Sequence, residues 1–228
     1  MDSADIAPPT REEAYAIQDA TLAELGPVAG WKVGAKGVTA EPIGAPLPSS
    51  CVFASGARLE GGGWALRGLE VEVALRVGRD FAIGNEPLTP ADLASAFDAV
   101  YPAIEVVETR LDGWKDSPPL AQLADLQSHG ALVLGPAAPF DVAALDLRRV
   151  EAQIFIGPTL AKRTLGGNPG VDVWRLLAWL AKHCAARGQP LRKGQIVTTG
   201  SCTGMVFARP GDAVLADIAS LGRVELFF

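Results

Sequence analysis

The sequence predicts an α+β fold, because strand-like segments are many and helical segments are few. Only three segments of the 228 residues show a convincing helical pattern, and short β-like segments between Gly and Pro turns fill most of the rest. The helices do not alternate with the strands as they would in a doubly wound sheet. No break in composition divides the chain. We therefore predict a single domain over residues 1–228, with residues 1–27 as an N-terminal helical segment packed on it.

The first predicted helix begins after Thr10. Residues 10–13 contain the Thr and Glu of a capping box, and Gly26 ends the pattern. From residue 28 to residue 63 the chain is rich in Gly, Pro and Ala, which favours short strands joined by loops. The apolar residues that make the first helix amphipathic are Tyr15, Ile17, Leu22 and Leu25.

Two apolar runs, residues 68–77 and 101–107, predict strands in the middle of the chain. Between them, a Thr-Pro pair predicts the start of a short helix over residues 90–97. After the second run, residues 112–126 contain one Gly and two Pro, and they predict a long loop or lid.

The C-terminal half is predicted to be mainly β. Residues 131–134 and 149–156 have the composition of strands. Apolar residues at helical spacing predict the clearest helix over residues 173–187, with Lys182 and His183 facing solvent. Short β segments are then predicted at residues 195–200, 205–208, 213–218 and 223–228.

Three glutamates stand inside the two central strands. Glu70 and Glu72 are two positions apart, so a strand sends both carboxylates to the same face, about 6.5–7 Å apart along the strand. Glu105 lies among residues that favour a strand buried on both faces, where an unpaired carboxylate is costly. Three oxygen donors suit Mg²⁺ or Mn²⁺. The alternation of Glu70 and Glu72 is also compatible with the solvent face of a half-exposed sheet.

Composition limits the classes of function. The formal net charge of −6 and the scattered basic residues give no reason to expect nucleic-acid binding. No apolar stretch is long enough to span a membrane, and the N-terminus is acidic, unlike a signal peptide. We therefore expect a cytoplasmic protein. Cysteine spacing predicts neither a disulfide framework nor a zinc site for Cys51, Cys184 and Cys202.

Several fragments together resemble the fumarylacetoacetate hydrolase superfamily, in the branch of 2-keto-4-pentenoate hydratase and 4-oxalocrotonate decarboxylase. The resemblance covers nearly the whole chain, and the order of the fragments carries it more than any single motif. The fragments are residues 30–34 (Gly-Trp-Lys-Val-Gly), 69–74 (Leu-Glu-Val-Glu-Val-Ala), 102–110 (Pro-Ala-Ile-Glu-Val-Val-Glu-Thr-Arg), 124–125 (Ala-Asp), 130–135, 167–169 (Gly-Asn-Pro), 188–194, 200–205 (Gly-Ser-Cys-Thr-Gly-Met) and 209–212.

The resemblance implies a mixed β-sheet roll with few helices, and a homo-oligomer. It also implies hydration of 2-hydroxypenta-2,4-dienoate to 4-hydroxy-2-oxopentanoate, through an enolate that a bound divalent ion stabilises. The partner is then a small-molecule 2-oxo acid. Matching positions imply that Mg²⁺ or Mn²⁺ is held by Glu70, Glu72 and Glu105. They also imply that Lys32 lies near the substrate, where it could pair with the substrate carboxylate or act in catalysis by moving a proton. The loop closing around the substrate contains Ser201 and Thr203, which could hydrogen-bond the substrate carboxylate or satisfy a tight turn.

One part of the family's pattern is missing. Hydratases of this branch carry a Pro-Asp-aromatic-Gly stretch after the lysine motif, and its aspartate serves in proton transfer. This chain has Glu-Pro-Ile-Gly at residues 41–44. Glu41 and His129 are the candidate replacements, and each of them could also be inert. Asp125 is a further candidate, either for binding substrate or for orienting a neighbour.

Other chemistries stay open at this point. Decarboxylation of 4-oxalocrotonate and C–C hydrolysis of an acylpyruvate would use the same fold and ion, and a 2-oxo acid binder without turnover is a non-enzyme alternative. Residues 200–204 also match a cysteine nucleophile elbow. Both histidines, however, precede Cys202, whereas hydrolases of that type place their histidine after the nucleophile.

Overall fold

The computed structural model describes residues 6–81 and 88–228. The α+β prediction is confirmed, because short helices and many strands make up the described chain. The helices are α1 (Arg11–Leu25), α2 (Pro90–Ala94), α3 (Pro119–Ala124) and α4 (Val173–Ala186). The strands are β1 (Val28–Gly34), β2 (Ile43–Pro48), β3 (Val52–Ala54), β4 (Ala57–Arg58), β5 (Gly68–Val77), β6 (Phe97–Val107), β7 (His129–Leu134), β8 (Glu151–Ile156), β9 (Thr159–Leu165), β10 (Ile196–Ser201), β11 (Val206–Phe207), β12 (Ala213–Ile218) and β13 (Gly222–Phe227).

The strands form two sheets. The first has eight strands in the order β2-β1-β10-β5-β6-β7-β3, with β11 beside β5, and it is mixed because β1 pairs in parallel with β10, and β3 with β7. The second has five strands in the order β4-β13-β12-β8-β9. At its edge, β9 is a strand that the sequence pattern did not predict.

The two long strands β5 and β6 pair antiparallel at the centre of the first sheet. Their register places Glu70 opposite Glu105 and Glu72 opposite Ala103. Leu69, Val71 and Val73 alternate with the glutamates and lie in the main core, which includes residues of α4, β12 and β13. The glutamates therefore lie on the opposite face of the sheet, away from this core.

The first sheet also contains a close backbone approach that only glycine allows. A Cβ atom added to Gly30 in β1 would lie 2.0 Å from the carbonyl oxygen of Ile196 in β10. Real Cβ atoms do not approach an oxygen so closely, so glycine at this position lets β1 pair with β10. That pairing sets the register of Lys32 opposite Thr198.

Helix α1 packs on α3 and β2. The Thr10 hydroxyl accepts a hydrogen bond from the Glu13 amide at 3.2 Å, as the capping pattern predicted. The prediction of its apolar face was only partly correct. Tyr15 and Leu22 are buried, but Ile17 and Leu25 are exposed. Instead, Gln18 is buried, and its Nε2 donates to the Leu123 carbonyl at 2.7 Å. The helix thus uses a polar side chain to attach to α3.

Three further predictions were wrong in detail. The predicted loop over residues 112–126 contains helix α3, which two consecutive prolines introduce. The helix predicted over residues 90–97 ends at Ala94, and Phe97 begins β6. His183 does not face solvent, because its ring stacks on Trp179 at a centroid distance of 4.5 Å and also contacts Tyr15. Lys182 is exposed, as predicted.

Within the described residues, no helix is long and apolar enough to cross a membrane. The three cysteines are free thiols, as their spacing predicted. The single domain over residues 1–228, the cytoplasmic location and the homo-oligomer stay predictions.

Candidate active site

Three carboxylates meet on the face of the first sheet opposite the main core. Ligand oxygens of Glu70, Glu72 and Glu105 all lie within 4.8 Å of one another. Glu72 and Glu105 are each 2% exposed, and Glu70 is half-buried, so the solvent-face alternative does not hold. The pairing of Glu70 with Glu105 across β5 and β6, together with the two-residue period of β5, creates this cluster.

The cluster is electrostatically unfavourable without a cation. Burial raises the pKa of Glu70 and of Glu72, and repulsion from Glu105 raises both further. Burial alone would also raise the pKa of Glu105, but the Lys32 ammonium and a hydrogen bond from His129 hold it at about 2. Buried oxygen donors at this spacing fit a hard divalent cation such as Mg²⁺ or Mn²⁺.

Lys32 lies beside the carboxylate cluster. Its Nζ donates to Glu105 Oε1 and, at 3.1 Å, to the backbone carbonyl of Gln127. An ammonium has three N–H donors. The two acceptors from the described residues, Glu105 and the Gln127 carbonyl, therefore leave one N–H for a ligand. Lys32 is a residue of β1. This strand pairs with β10, and β10 pairs with β5, so Lys32 lies near the glutamates of β5.

The Gln127 carbonyl is presented by a strained turn. Leu126, Gln127 and Ser128 all have left-handed backbone conformations, with φ of 48°, 53° and 56°. Residues other than glycine seldom adopt this conformation, and three in succession are costly. Such strain concentrates at functional sites, and here the turn directs a carbonyl to Lys32.

His129 lies behind Glu105 and does not line the cavity described below. Its Nδ1 is 3.0 Å from Glu105 Oε1, and its side chain is buried. Because a carboxylate only accepts hydrogen bonds, Nδ1 carries the proton. Burial lowers the pKa of His129, despite the opposing effect of Glu105. The contact therefore orients Glu105. His129 does not itself line the cavity, so its effect on a ligand there would be indirect, through Glu105.

A second turn supports Glu72. Gly200, with φ of 90°, donates its amide to Glu72 Oε2 at 3.1 Å. The buried Asn168 side chain holds this turn by donating to the carbonyls of Thr199 and Gly200 at 2.9 and 2.8 Å. The next residue, Ser201, lines the cavity.

A cavity of about 600 Å³ opens over the carboxylates. It is walled by β1, β2 and β5, by α1 and by residues 114–128. Glu41 lies on its wall with a 65% exposed side chain and pairs with Arg11 at 2.9 Å. The structure brings six of the predicted site residues to this cavity, namely Lys32, Glu41, Glu70, Glu72, Glu105 and Ser201.

The other predicted site residues lie off the cavity wall. Asp125 accepts hydrogen bonds from the Thr109 hydroxyl at 2.8 Å and from Arg110 Nε at 2.5 Å, so it orients neighbours. Thr203 Oγ1 accepts from the Val71 amide at 3.2 Å and donates to the Gly204 carbonyl, which satisfies a turn. Neither side chain faces a ligand position in this structure, and the substrate-binding role predicted for them has no geometric support.

Several polar residues of the cavity wall were not predicted from the sequence, among them Arg11, Lys115, Gln127 and Asn168. The Gly-Asn-Pro fragment was a signal for Asn168. The others are brought to the cavity by the packing of α1 and by the turns around α3, which have no local sequence signature.

Residues 27–226 match the fumarylacetoacetate (FAA) hydrolase C-terminal family. The chain belongs to this family. As a fumarylacetoacetate hydrolase family member it is an enzyme, and the predicted mixed β-sheet roll is confirmed by solved structures of the same fold. One of these is a 4-oxalocrotonate decarboxylase from Pseudomonas putida G7 complexed with magnesium and adipate, with a TM-score of 0.85 at 22% identity, covering 99% of this chain and 89% of that one.

Two bacterial hydratases also match over most of the chain. A 2-keto-4-pentenoate hydratase from Dechloromonas aromatica is 31% identical over 96% of this chain and 86% of its own length. The TodF product hydratase of Pseudomonas putida is 32% identical over 95% of this chain and 84% of its own length. A maleylpyruvate hydrolase from Sphingobium, solved with manganese and pyruvate, has the same fold at a TM-score of 0.59 and 14% identity.

Proposed function

We propose that this chain is a divalent-metal-dependent hydratase of 2-hydroxydienoic acids, with 2-hydroxypenta-2,4-dienoate as the reference substrate and 4-hydroxy-2-oxopentanoate as its product. The observation that carries the proposal is the cluster of Glu70, Glu72 and Glu105 at the floor of a cavity that also contains Lys32. The hydratases that match over most of the chain support the reaction.

The same cluster is the proposed ion site. Mg²⁺ or Mn²⁺ bound there would hold the carboxylate and keto oxygens of a 2-oxo acid and stabilise negative charge on the keto oxygen. Magnesium and manganese in solved structures of the same fold support an ion of this kind. The Gly200 amide and His129 fix the orientations of Glu72 and Glu105, which keeps both carboxylates directed at one point.

Lys32 is proposed to bind the substrate carboxylate. Its ammonium is held between Glu105 and the Gln127 carbonyl, which fixes its position on the cavity wall. The third N–H donor is available to a ligand in the cavity. Ser201 is on the same wall, and its hydroxyl is near enough to Glu70 to oppose the rise that burial causes in the pKa of that carboxyl.

Hydration needs proton transfers that the chain must supply. The 2-hydroxyl loses a proton and C5 gains one as the dienol becomes the 2-oxo-3-enoic acid; water then adds its oxygen at C4 and a proton at C3. Apart from the three clustered glutamates, Glu41 is the carboxylate that the described residues place on the cavity wall. We assign these transfers to Glu41, in place of the aspartate that its stretch lacks.

An ultraviolet assay tests this function. Metal-free protein, supplemented with Mg²⁺ or Mn²⁺, should remove the dienol absorbance of 2-hydroxypenta-2,4-dienoate, and chelation should stop the reaction. Glu105→Gln and Lys32→Ala should abolish turnover. Glu41→Gln should lower it about 10²-fold or more, the range for a lost acid–base group. Glu60→Gln, at an exposed position off the cavity wall, should leave the rate unchanged.

Decarboxylation is the second candidate, and the missing aspartate favours it. Release of carbon dioxide needs an electron sink and one proton delivered to carbon, so it requires fewer acid–base groups than hydration. The assay therefore includes 4-oxalocrotonate and an acylpyruvate in parallel. Carbon dioxide from the first, or pyruvate from the second, with no change in the dienoate, would contradict the hydratase proposal and assign the sister activity. No turnover of any of the three would contradict both.

A further inference from the structure

Basic side chains are numerous on the cavity wall. Glu70, Glu72 and Glu105, the proposed ion site, are called the metal cluster below. The other charged residues that line the cavity are Arg11, Lys32, Lys36, Glu41 and Lys115. Four basic and four acidic side chains thus face it, and their formal charges cancel. A divalent ion in the cluster would leave the cavity with two positive charges. One substrate carboxylate would balance only one of them, whereas a dianion would balance both.

Two of the four cations already have partners. Lys32 is held by Glu105 and the Gln127 carbonyl, and Arg11 is paired with Glu41. By contrast, no carboxylate of the described residues lies within ion-pair distance of Lys36 or Lys115.

Lys115 is the better placed of these two cations. It lies in a 3₁₀ turn, Trp114–Asp116, that begins after Gly113, whose φ is 83°. Its Nζ is 4.6 Å from the centre of the Trp114 ring, and that ring packs edge-on against Phe207 at 5.9 Å. Cation–π contact holds the ammonium at the cavity without neutralising its charge.

The two acidic residues next to Lys115 lie off the cavity wall. Asp112 and Asp116 flank Lys115 in sequence, but neither lines the cavity. Lys115 and the three glutamates line the same cavity of about 600 Å³. A short acid whose first carboxylate is at the metal can therefore direct its far end towards Lys115.

We propose that the preferred ligand of this cavity is a 2-oxo or 2-hydroxydienoic acid with a second carboxylate at its far end, and that Lys115 binds this second carboxylate. The inference rests on the proposed function, which places the first carboxylate and the 2-oxygen at the metal cluster. Lys115 is then a specificity residue, and it selects diacids over monoacids without taking part in the proton transfers.

Calorimetric titration of the Mn²⁺-loaded protein tests this inference without turnover. The two ligands are 2-oxoadipate and 2-oxohexanoate, which have chains of equal length and differ only in the terminal carboxylate. The wild type should bind 2-oxoadipate about tenfold more tightly, the effect of one charge-assisted hydrogen bond. Lys115→Met keeps an apolar stem against Trp114 and should reduce this ratio to about one. Lys162→Met, an exposed residue of β9, should keep the wild-type ratio.

The outcomes separate this inference from the proposed function. Equal binding of the two acids by the wild type, or an unchanged ratio in Lys115→Met, would overturn the inference and leave the hydratase proposal intact. Loss of the ratio in Lys162→Met would overturn it as well, since the preference would then be a general charge effect. Failure to bind either acid, together with no turnover of the dienoate, would overturn both.

Discussion

Glu72→Gln should have opposite effects on the metal-free and the metal-bound protein. Glu72 is 2% exposed, and its ligand oxygen lies within 4.8 Å of those of Glu70 and Glu105. At that separation and an effective dielectric constant of about 20, each pair of like charges costs about 3 kcal/mol. The raised pKa of Glu72 shows that proton uptake relieves part of this cost. We therefore expect the metal-free variant to gain about 1–2 kcal/mol of folding stability.

The metal-bound state should respond in the other direction. An ion at one hundred times its Kd stabilises the wild type by about 2.7 kcal/mol, which for a chain of this size is a rise of about 5–10 °C in Tm. Glutamine retains an oxygen that accepts from the Gly200 amide, so the local hydrogen bond survives. It lacks the charge that a hard cation requires, and the metal-induced rise should disappear.

Scanning calorimetry at pH 8 measures both effects. Wild type, Glu72→Gln and the exposed control Glu60→Gln are each unfolded with a chelator and then with excess Mg²⁺ or Mn²⁺. The control should behave as the wild type in both conditions. A Glu72→Gln protein that unfolds at a lower temperature than the wild type in chelator, and that keeps the full metal-induced rise, would refute the electrostatic account of the cluster.

Three further predictions concern the structure that supports the site. Gly30→Ala should destabilise the protein by about 3 kcal/mol or more in urea unfolding, because its Cβ would meet the Ile196 carbonyl oxygen at 2.0 Å, whereas Gly37→Ala, with nothing within 4 Å, should be nearly neutral; equal effects would contradict the close approach. Asn168→Ala should weaken Mn²⁺ binding measured by calorimetric titration, although Asn168 is not a ligand, because the Gly200 turn loses two hydrogen bonds; unchanged affinity would exclude this support. Burial lowers the pKa of His183 to about 4, below the value of about 6.5 in unfolded chains. As pH falls below 6.5, the unfolded state therefore takes up a proton before the folded state does. The stability that neutral His183 contributes above pH 6.5 is lost as pH falls towards 4. In denaturant unfolding across this range, His183→Phe should show a smaller loss of stability than the wild type, and an identical pH dependence would contradict the assignment.

The carboxylate cluster was partly predictable, because part of its geometry is local. A strand places alternate residues on one face, so Glu70 and Glu72 had to project together, and an apolar run on both sides of Glu105 indicated a buried strand. Helix α4 was predictable for the same reason, since apolar residues recur at its helical period. Its first residue follows Asp172, whose side chain accepts from the amides of Trp174 and Arg175.

The remainder of the site depends on contacts that sequence patterns do not encode. Leu126 and Gln127 adopt left-handed conformations that their residue types disfavour, so no local signal marked the turn that reaches Lys32. Arg11 is brought to the cavity by the packing of α1 on α3 and β2. Thr203 and Asp125 were candidates because they are polar and lie near the right fragments, but nearby backbone and side-chain groups satisfy them.

The anomalous difference map of a crystal grown with Mn²⁺ would show whether the three carboxylates hold an ion. We expect one strong peak at about 2.1 Å from a carboxylate oxygen of each of Glu70, Glu72 and Glu105, the distance expected for a small divalent cation. Lys32 should then lie beside the ion with one N–H directed into the cavity. The absence of a peak at these carboxylates, or a peak only elsewhere on the protein, would contradict the proposed metal site.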